Sequence, residues 1–320
     1  MSKLSISSIS EDVRMELLKK GVWPTMITPY NKDGSVDFGA IRGIVDWYRS
    51  NGVSGIFSVC QSSEMFYLTL EERLKIAEAV TQAAGEDMDV IASGHISDDF
   101  ASQKTELTEM AKTGVKAVVL VSNRFADVDE NDEIWIERAD ELISKMPDIA
   151  LGIYECPYPY KRLLSEKILR WMAGTNRFTF IKDTCCDLKL MQARIALLGE
   201  LGGQIGLYNA NSATALEALR SGAAGFSGVM TNFHADLYVW LCAHWQDEPV
   251  KAEKVQALLT AMSMYESFYP GNAKYHMNLV GIPMQISSRT PGREALTVLQ
   301  KDMTHQIMTI EEIARQIIGV

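Results

Sequence analysis

Eight short apolar runs, each followed by a stretch of helical period, constrain this chain more than any other feature. They are GVWPTMITP (21–29), GIFSVC (55–60), DVIASG (89–94), KAVVLVS (116–122), IALGIYE (149–155), FTFIKD (178–183), QIGLYN (204–209) and AGFSGVM (224–230). Their residues are apolar nearly throughout instead of alternating, the mark of parallel strands covered on both faces. The intervening segments carry helix punctuation. Asp37 is placed to cap a helix whose face is Ile41, Ile44, Val45 and Tyr48 and whose end is Asn51-Gly52. Thr69 and Glu72 form a T-x-x-E capping box, and Ser165 opens SEKILRWM.

Eight β-then-α units in 320 residues predict a closed (β/α)8 TIM barrel in preference to an open doubly wound sheet. The first βα turn also lacks the G-x-G-x-x-G fingerprint of dinucleotide binding. After about residue 245 the strand pattern stops, and VKAEKVQALLTAMSMYESF, REALTVLQKDM and TIEEIARQIIGV read as a C-terminal helical extension. Its Met-rich part reads as helix packing. No Pro/Gly-rich linker intervenes, so the expected division is an N-terminal segment (1–20), a barrel (21–245) and docked C-terminal helices (246–320).

Composition narrows the function classes. With 47% hydrophobic and 22% charged residues, the chain can bury a large core. A net charge of -10 argues against a nucleic-acid groove, which needs clustered Lys and Arg. The five cysteines (Cys60, Cys156, Cys185, Cys186, Cys242) lack the spacing of a disulfide framework and read as reduced thiols. No run reaches membrane-spanning length, and the first residues lack the apolar centre of a signal peptide, so a cytoplasmic protein is expected. The five histidines show no H-E-x-x-H or H-x-H spacing, Cys185-Cys186 is not C-x-x-C, and no phosphate loop or G-x-S-x-G elbow is present. No metal and no cofactor is therefore expected.

Chemistry in such barrels collects where the strands end at their C-terminal side. That rule selects Ser62, Ser63 and Glu64 after strand 2, Asn123 and Arg124 after strand 4, Tyr154 on strand 5 and Lys182 on strand 6. It also selects Asn209 and Asn211 after strand 7, and Thr231 and Asn232 after strand 8. A lysine held among apolar side chains shifts towards its neutral amine, because desolvation disfavours the ammonium. A neutral amine attacks ketones and aldehydes to give a Schiff base, which opens C–C cleavage, C–C formation or loss of water. An isolated strand-end lysine more often snorkels to solvent or pairs with a neighbour such as Asp183. Tyr154 on the adjacent strand shifts that balance, since carbinolamine chemistry needs a proton shuttle beside the amine. The hydroxyls and backbone N–H groups of VCQSSEMFYL suit a carboxylate, although loop serines are usually turn residues.

These stretches together resemble the dihydrodipicolinate synthase / N-acetylneuraminate lyase family of Schiff-base-forming barrels. The opening strand and helix from Gly21, CQSSE (60–64), YECP (154–157), FIKDTCCD (180–187) and GAAGFSGVMTN (222–232) follow its G-[TS]-T-G-E, Y-N-x-P, I-K-[ED] and last-strand patterns in order and spacing. The resemblance implies Lys182 as the Schiff-base lysine, Tyr154 as the proton-shuttling tyrosine and Ser62 as the hydroxyl that relays protons to it. It implies that Gln61 and Ser63, with the amides around them, hold the carboxylate of a bound keto acid. Ser227 and Asn209 are further substrate-contact candidates, and Arg124 a candidate anion contact whose competing reading is a solvated surface arginine. A homo-oligomer, tetramer or dimer, is also implied.

The departures from the family pattern fall on the second substrate. Gln61 replaces the first hydroxyl of the loop pair and Ser63 its glycine. The diaminopimelate-pathway synthases place an arginine five residues after the tyrosine; here that position is Pro159, with Lys161 and Arg162 slightly displaced. Where they lend a tyrosine to a neighbouring subunit, this chain reads SNRFAD (122–127). The expected function is a metal-independent Schiff-base lyase acting on pyruvate or a hydroxylated 2-keto acid. The alternatives are a 4-hydroxy-tetrahydrodipicolinate synthase using Lys161 or Arg162, and a keto-acid-binding barrel without turnover.

Overall fold

A computed structural model describes residues 15–293 and 295–320 of the chain. Most of the N-terminal segment set apart above, residues 1–14, lies outside the described residues. The strands are β1 (Gly21–Val22), β2 (Gly55–Ser58), β3 (Asp89–Ala92), β4 (Ala117–Val121), β5 (Ala150–Tyr154), β6 (Phe178–Asp183), β7 (Gly206–Asn209) and β8 (Gly225–Phe226). They pair in parallel in the order β1-β8-β7-β6-β5-β4-β3-β2. The ring closes between β1 and β2 through Ser54 N–H to Val22 O (2.9 Å), Phe57 N–H to Pro24 O (2.9 Å) and Met26 N–H to Phe57 O (3.0 Å). The chain is a (β/α)8 TIM barrel followed by further helices.

The helices are α1 (Phe38–Ser50), α2 (Leu70–Ala84), α3 (Phe100–Met110), α4 (Asp132–Ile143), α5 (Glu166–Gly174), α6 (Leu188–Glu200), α7 (Ala215–Arg220) and α8 (Thr231–His244) around the barrel. Beyond it come α9 (Pro249–Ser263), α10 (Gly271–Leu279) and α11 (Val298–Ile318). Their starts follow the capping chemistry of the sequence. Asp37 accepts from Ala40 N–H, Thr69 and Glu72 complete the reciprocal box, and Ser165 accepts from Ile168 N–H. Among the described residues no helix is long and apolar enough to cross a membrane.

The first and last strands are shorter than the sequence predicts. Pro24 has no N–H to donate, which limits β1 to two residues and an isolated bridge from Thr25 to Phe57. Opposite it, a Cβ on Gly225 would lie 1.8 Å from Gly21 O, so these two backbones approach as only glycine permits. Inside the barrel, Phe57, Phe180, Tyr208 and Trp23 interlock edge to face or stacked, with centroids 4.5–6.1 Å apart. This aromatic plug is a buried floor beneath the C-terminal mouth.

The later helices are tied to the barrel by buried polar contacts. Glu311 of α11 accepts from His234 Nδ1 of α8 at 3.1 Å and from His276 Nε2 of α10 at 3.2 Å. Burial would raise the Glu311 carboxyl, but these two hydrogen bonds outweigh it and hold it at about 2, below its usual 4.5. A depressed carboxyl adds stability above its unfolded pKa and loses it as pH falls through the folded value. The expected outcome is a contribution of about 3 kcal/mol at neutral pH that disappears between about pH 4.5 and 2. Urea unfolding of the parent and Glu311→Gln at pH 7 and pH 3 checks this; the gap between them narrows at the lower pH.

Candidate active site

Lys182 and Tyr154 are register partners at the ends of β6 and β5. Lys182 is only 3% exposed, and its Nζ lies 4.3 Å from the Tyr154 ring centroid and 5.8 Å from that of Phe57. No hydrogen bond or ion pair engages this amine among the described residues. Burial pushes its pKa below the usual lysine value, and its neighbours Cys60, Cys156 and Glu266 only oppose that shift. Asp183, the obvious pairing partner from sequence, points the other way, to Arg194 Nη1 at 2.6 Å.

The loop after β2 is held by two left-handed residues, Val59 (φ 48°) and Glu64 (φ 62°), on either side of a 3₁₀ turn at Gln61–Ser63. A β-branched residue at positive φ is strained, and the strain aims the turn over the barrel. Tyr154 Oη donates to Gln61 Oε1 at 3.0 Å, and Cys156 Sγ approaches the same oxygen at 3.7 Å. Burial raises the Tyr154 phenol well above its usual value. Ser62 takes a different place from the one expected of a Tyr154 relay: its Oγ donates to Thr25 Oγ1 at 3.0 Å and faces the Tyr269 phenol. Ser63 donates to Met26 O at 2.6 Å and receives Cys60 N–H, so its hydroxyl fixes the loop. The Ser63 N–H goes to Cys60 O, while no hydrogen bond of the described residues occupies the N–H groups of Gln61 and Ser62.

Two adjoining cavities open at this end of the barrel. One, of about 340 Å³, is lined by Lys182, Lys161, Thr184, Cys186 and Asn211. The other, of about 310 Å³, is lined by Ser62, Phe66, Tyr158, Tyr269 and Arg293. Gln61, Tyr154, Val229 and Glu266 belong to both. Glu266, Tyr269 and Arg293 come from the segments after the barrel, and Glu266 lies in the Met-rich stretch that reads as packing from sequence. Glu64 brings that region over the mouth: its carboxylate accepts from Lys274 Nζ (2.9 Å), Ser288 Oγ (2.8 Å) and Thr290 N–H (3.1 Å).

Three of the sequence candidates stand apart from the Lys182 cluster. The Arg124 guanidinium pairs with Asp98 and lies 5.6 Å from the Phe66 centroid. Asn209 uses its amide in the turn, donating to Asn211 O and Thr214 Oγ1 at 3.0 Å. Ser227 is fully buried and donates to Trp23 O at 2.8 Å. Of the two cations near Pro159, Lys161 lines the Lys182 cavity, whereas Arg162 is engaged by Asp132 and the carbonyls of Asp127 and Glu130.

The chain has relatives along nearly its whole length. The model of the dihydrodipicolinate synthetase family matches residues 18–312. A 4-hydroxy-tetrahydrodipicolinate synthase of Gluconacetobacter diazotrophicus is 28% identical over 87% of this chain and 96% of its own. A probable 2-dehydro-3-deoxy-D-pentonate aldolase of Escherichia coli K12 is 23% identical over 92% of this chain and 97% of its own. Among solved structures, a sialic acid aldolase of Ruminococcus gnavus superposes with a TM-score of 0.82 at 16% identity, covering 93% of this chain and 98% of that one. A prophage protein of the same family from E. coli K12, in complex with pyruvate, gives 0.83 at 17% identity, covering 92% and 98%. With the family match over nearly the whole chain and a buried, unpaired lysine at the end of β6, the chain belongs to the dihydrodipicolinate synthetase family of class I, Schiff-base-forming lyases.

Proposed function

We propose that the chain cleaves, forms or dehydrates a hydroxylated 2-keto acid through an iminium on Lys182. The observation that carries this is the unpaired Lys182 amine, desolvated and set beside Tyr154 at the junction of two cavities. The neutral amine attacks the C2 carbonyl, Tyr154 moves the protons of the carbinolamine, and the Gln61–Ser63 loop receives the carboxylate on its free N–H groups. Pyruvate fills only part of this space. The cavity beyond Tyr154, with Tyr269, Thr290 and Arg293 on its wall, suits the polar tail of a longer substrate.

The experiment is incubation with pyruvate and borohydride, followed by peptide mass spectrometry. A reduced adduct on Lys182, absent from Lys182→Ala, is expected; an adduct elsewhere, or none, refutes the reading. A panel of keto and sugar acids then identifies the tail. Lys161, whose Nζ donates to Thr184 O at 2.7 Å within the Lys182 cavity, supports a second reading as a 4-hydroxy-tetrahydrodipicolinate synthase. Product from pyruvate and aspartate semialdehyde, lost in Lys161→Ala, would select it.

A further inference from the structure

We infer that Glu266 is the acid–base group that exchanges the C3 proton of the Lys182-bound keto acid. The inference rests on the Schiff-base reading. Every reaction left open by that reading passes a proton at C3: condensation and dehydration remove one from the iminium, and cleavage returns one to the enamine. The group that does this must reach the bound substrate and trade protons with water.

Tyr154 is poorly placed for the second duty. Its hydroxyl donates to the Gln61 amide oxygen at 3.0 Å, and a primary amide does not pass protons on as a hydroxyl would. The neighbouring hydroxyl, Ser62, is turned to Thr25 and Tyr269. Tyr269 in turn receives Asn232 Nδ2–H at 3.1 Å, so this network runs away from Lys182 towards α1 and α8. Glu266, an exposed residue whose carboxyl is partly buried, stands on the wall shared by both cavities without a hydrogen-bond or ion-pair partner among the described residues. The titratable and charged groups around it are Lys182, Tyr154, Lys161 and Cys186 in one cavity, and Glu64, Tyr67, Tyr158, Tyr269 and Arg293 in the other. Partial burial raises its carboxyl and Lys182 draws it down, a balance suited to a group that both takes and gives a proton.

In the forward sense the C3–H bond breaks and its proton goes to a Glu266 oxygen. The C–H electron pair becomes the C2=C3 bond, and the C2=N pair moves to nitrogen, leaving a neutral enamine and a neutral carboxylic acid. The reverse step returns the proton to C3. Tyr154, beside the amine, keeps the carbinolamine protons.

The test follows loss of the pyruvate methyl signal by proton NMR in D2O, alongside borohydride trapping. Glu266→Gln is expected to slow methyl exchange by about 10²–10⁴-fold while still giving the Lys182 adduct, and Glu266→Asp to recover part of the exchange. Unchanged exchange in a Glu266→Gln protein that still forms the adduct overturns the inference. Loss of the adduct in that variant also overturns it, because Glu266 would then act before the iminium. Absence of the adduct in the parent instead defeats the Schiff-base reading beneath it.

Discussion

Lys182→Met is expected to abolish turnover while leaving the barrel folded and more stable than the parent. Loss of the nucleophile removes the covalent route altogether, so a fall of at least about 10⁴-fold in kcat, about 5.4 kcal/mol, is expected. The stability gain follows from the same geometry. The ammonium is buried beside Tyr154 and Phe57 without an anionic partner, and methionine fills similar volume with no charge to desolvate. A gain of about 1 kcal/mol is expected, in the range typical of relieving a functional strain. Its pH dependence identifies the source. Burial lowers the Lys182 pKa, so above that value the unfolded chain binds more protons than the native one and parental stability rises with pH. The advantage of Lys182→Met is therefore full below the folded Lys182 pKa and shrinks as pH climbs from there towards the ordinary lysine value. Denaturant unfolding at pH 6, 8 and 10 measures it; a Lys182→Met protein less stable than the parent at every pH would mark Lys182 as a structural residue.

The contrast between what the sequence discloses and what it hides follows the range of the interactions. Strand number and helix starts are local, set by short apolar runs and by caps such as Asp37, Thr69 and Ser165, and the structure has them where the residues indicate. The Lys182–Tyr154 neighbourhood is also legible, because parallel register follows from consecutive strands ending at one face. The direction of each side chain in the Gln61–Ser63 turn is not. It depends on positive φ at Val59 and Glu64, two residue types that give no glycine signal, and the result puts Gln61 instead of Ser62 on Tyr154. Glu266, Tyr269 and Arg293 are further out of reach. They arrive only because Lys274 and the 288–290 backbone close on Glu64, contacts separated by more than 200 residues. No local pattern marks a glutamate in MSMYESF as a cavity residue.

Arg194→Ala is expected to cost about 3–5 kcal/mol, the scale for breaking a buried ion pair from one side. The guanidinium on α6 holds Asp183 Oδ2 at 2.6 Å and Glu155 Oε1 at 2.8 Å, and donates to Leu164 O at 2.6 Å. Both carboxylates are fully buried, and each directly follows a site residue: Glu155 follows Tyr154, Asp183 follows Lys182. Glu155 also receives the N–H groups of Leu164 (2.8 Å) and Thr184 (3.0 Å), so one cluster locks the ends of β5 and β6 in register. Burial raises the Glu155 carboxyl and Arg194 is the main influence drawing it down. The folded Glu155 carboxyl already lies above its unfolded value with Arg194 present, and removing Arg194 raises it further, so the variant loses more stability than the parent as pH increases. Denaturant unfolding at pH 4.5 and 7.5 is expected to show the larger deficit at 7.5. Arg194→Lys recovers little, since one ammonium cannot reach both carboxylates and the carbonyl with the geometry of a guanidinium. Positioning is separable from stability in the folded fraction. At low denaturant and low temperature, where the variant is fully native, borohydride trapping with pyruvate is expected to slow, because the ends of β5 and β6 no longer fix the Tyr154–Lys182 approach. Trapping at the parental rate would confine Arg194 to stability, and a loss under about 1 kcal/mol would mean that the cluster behaves as a solvent-screened pair.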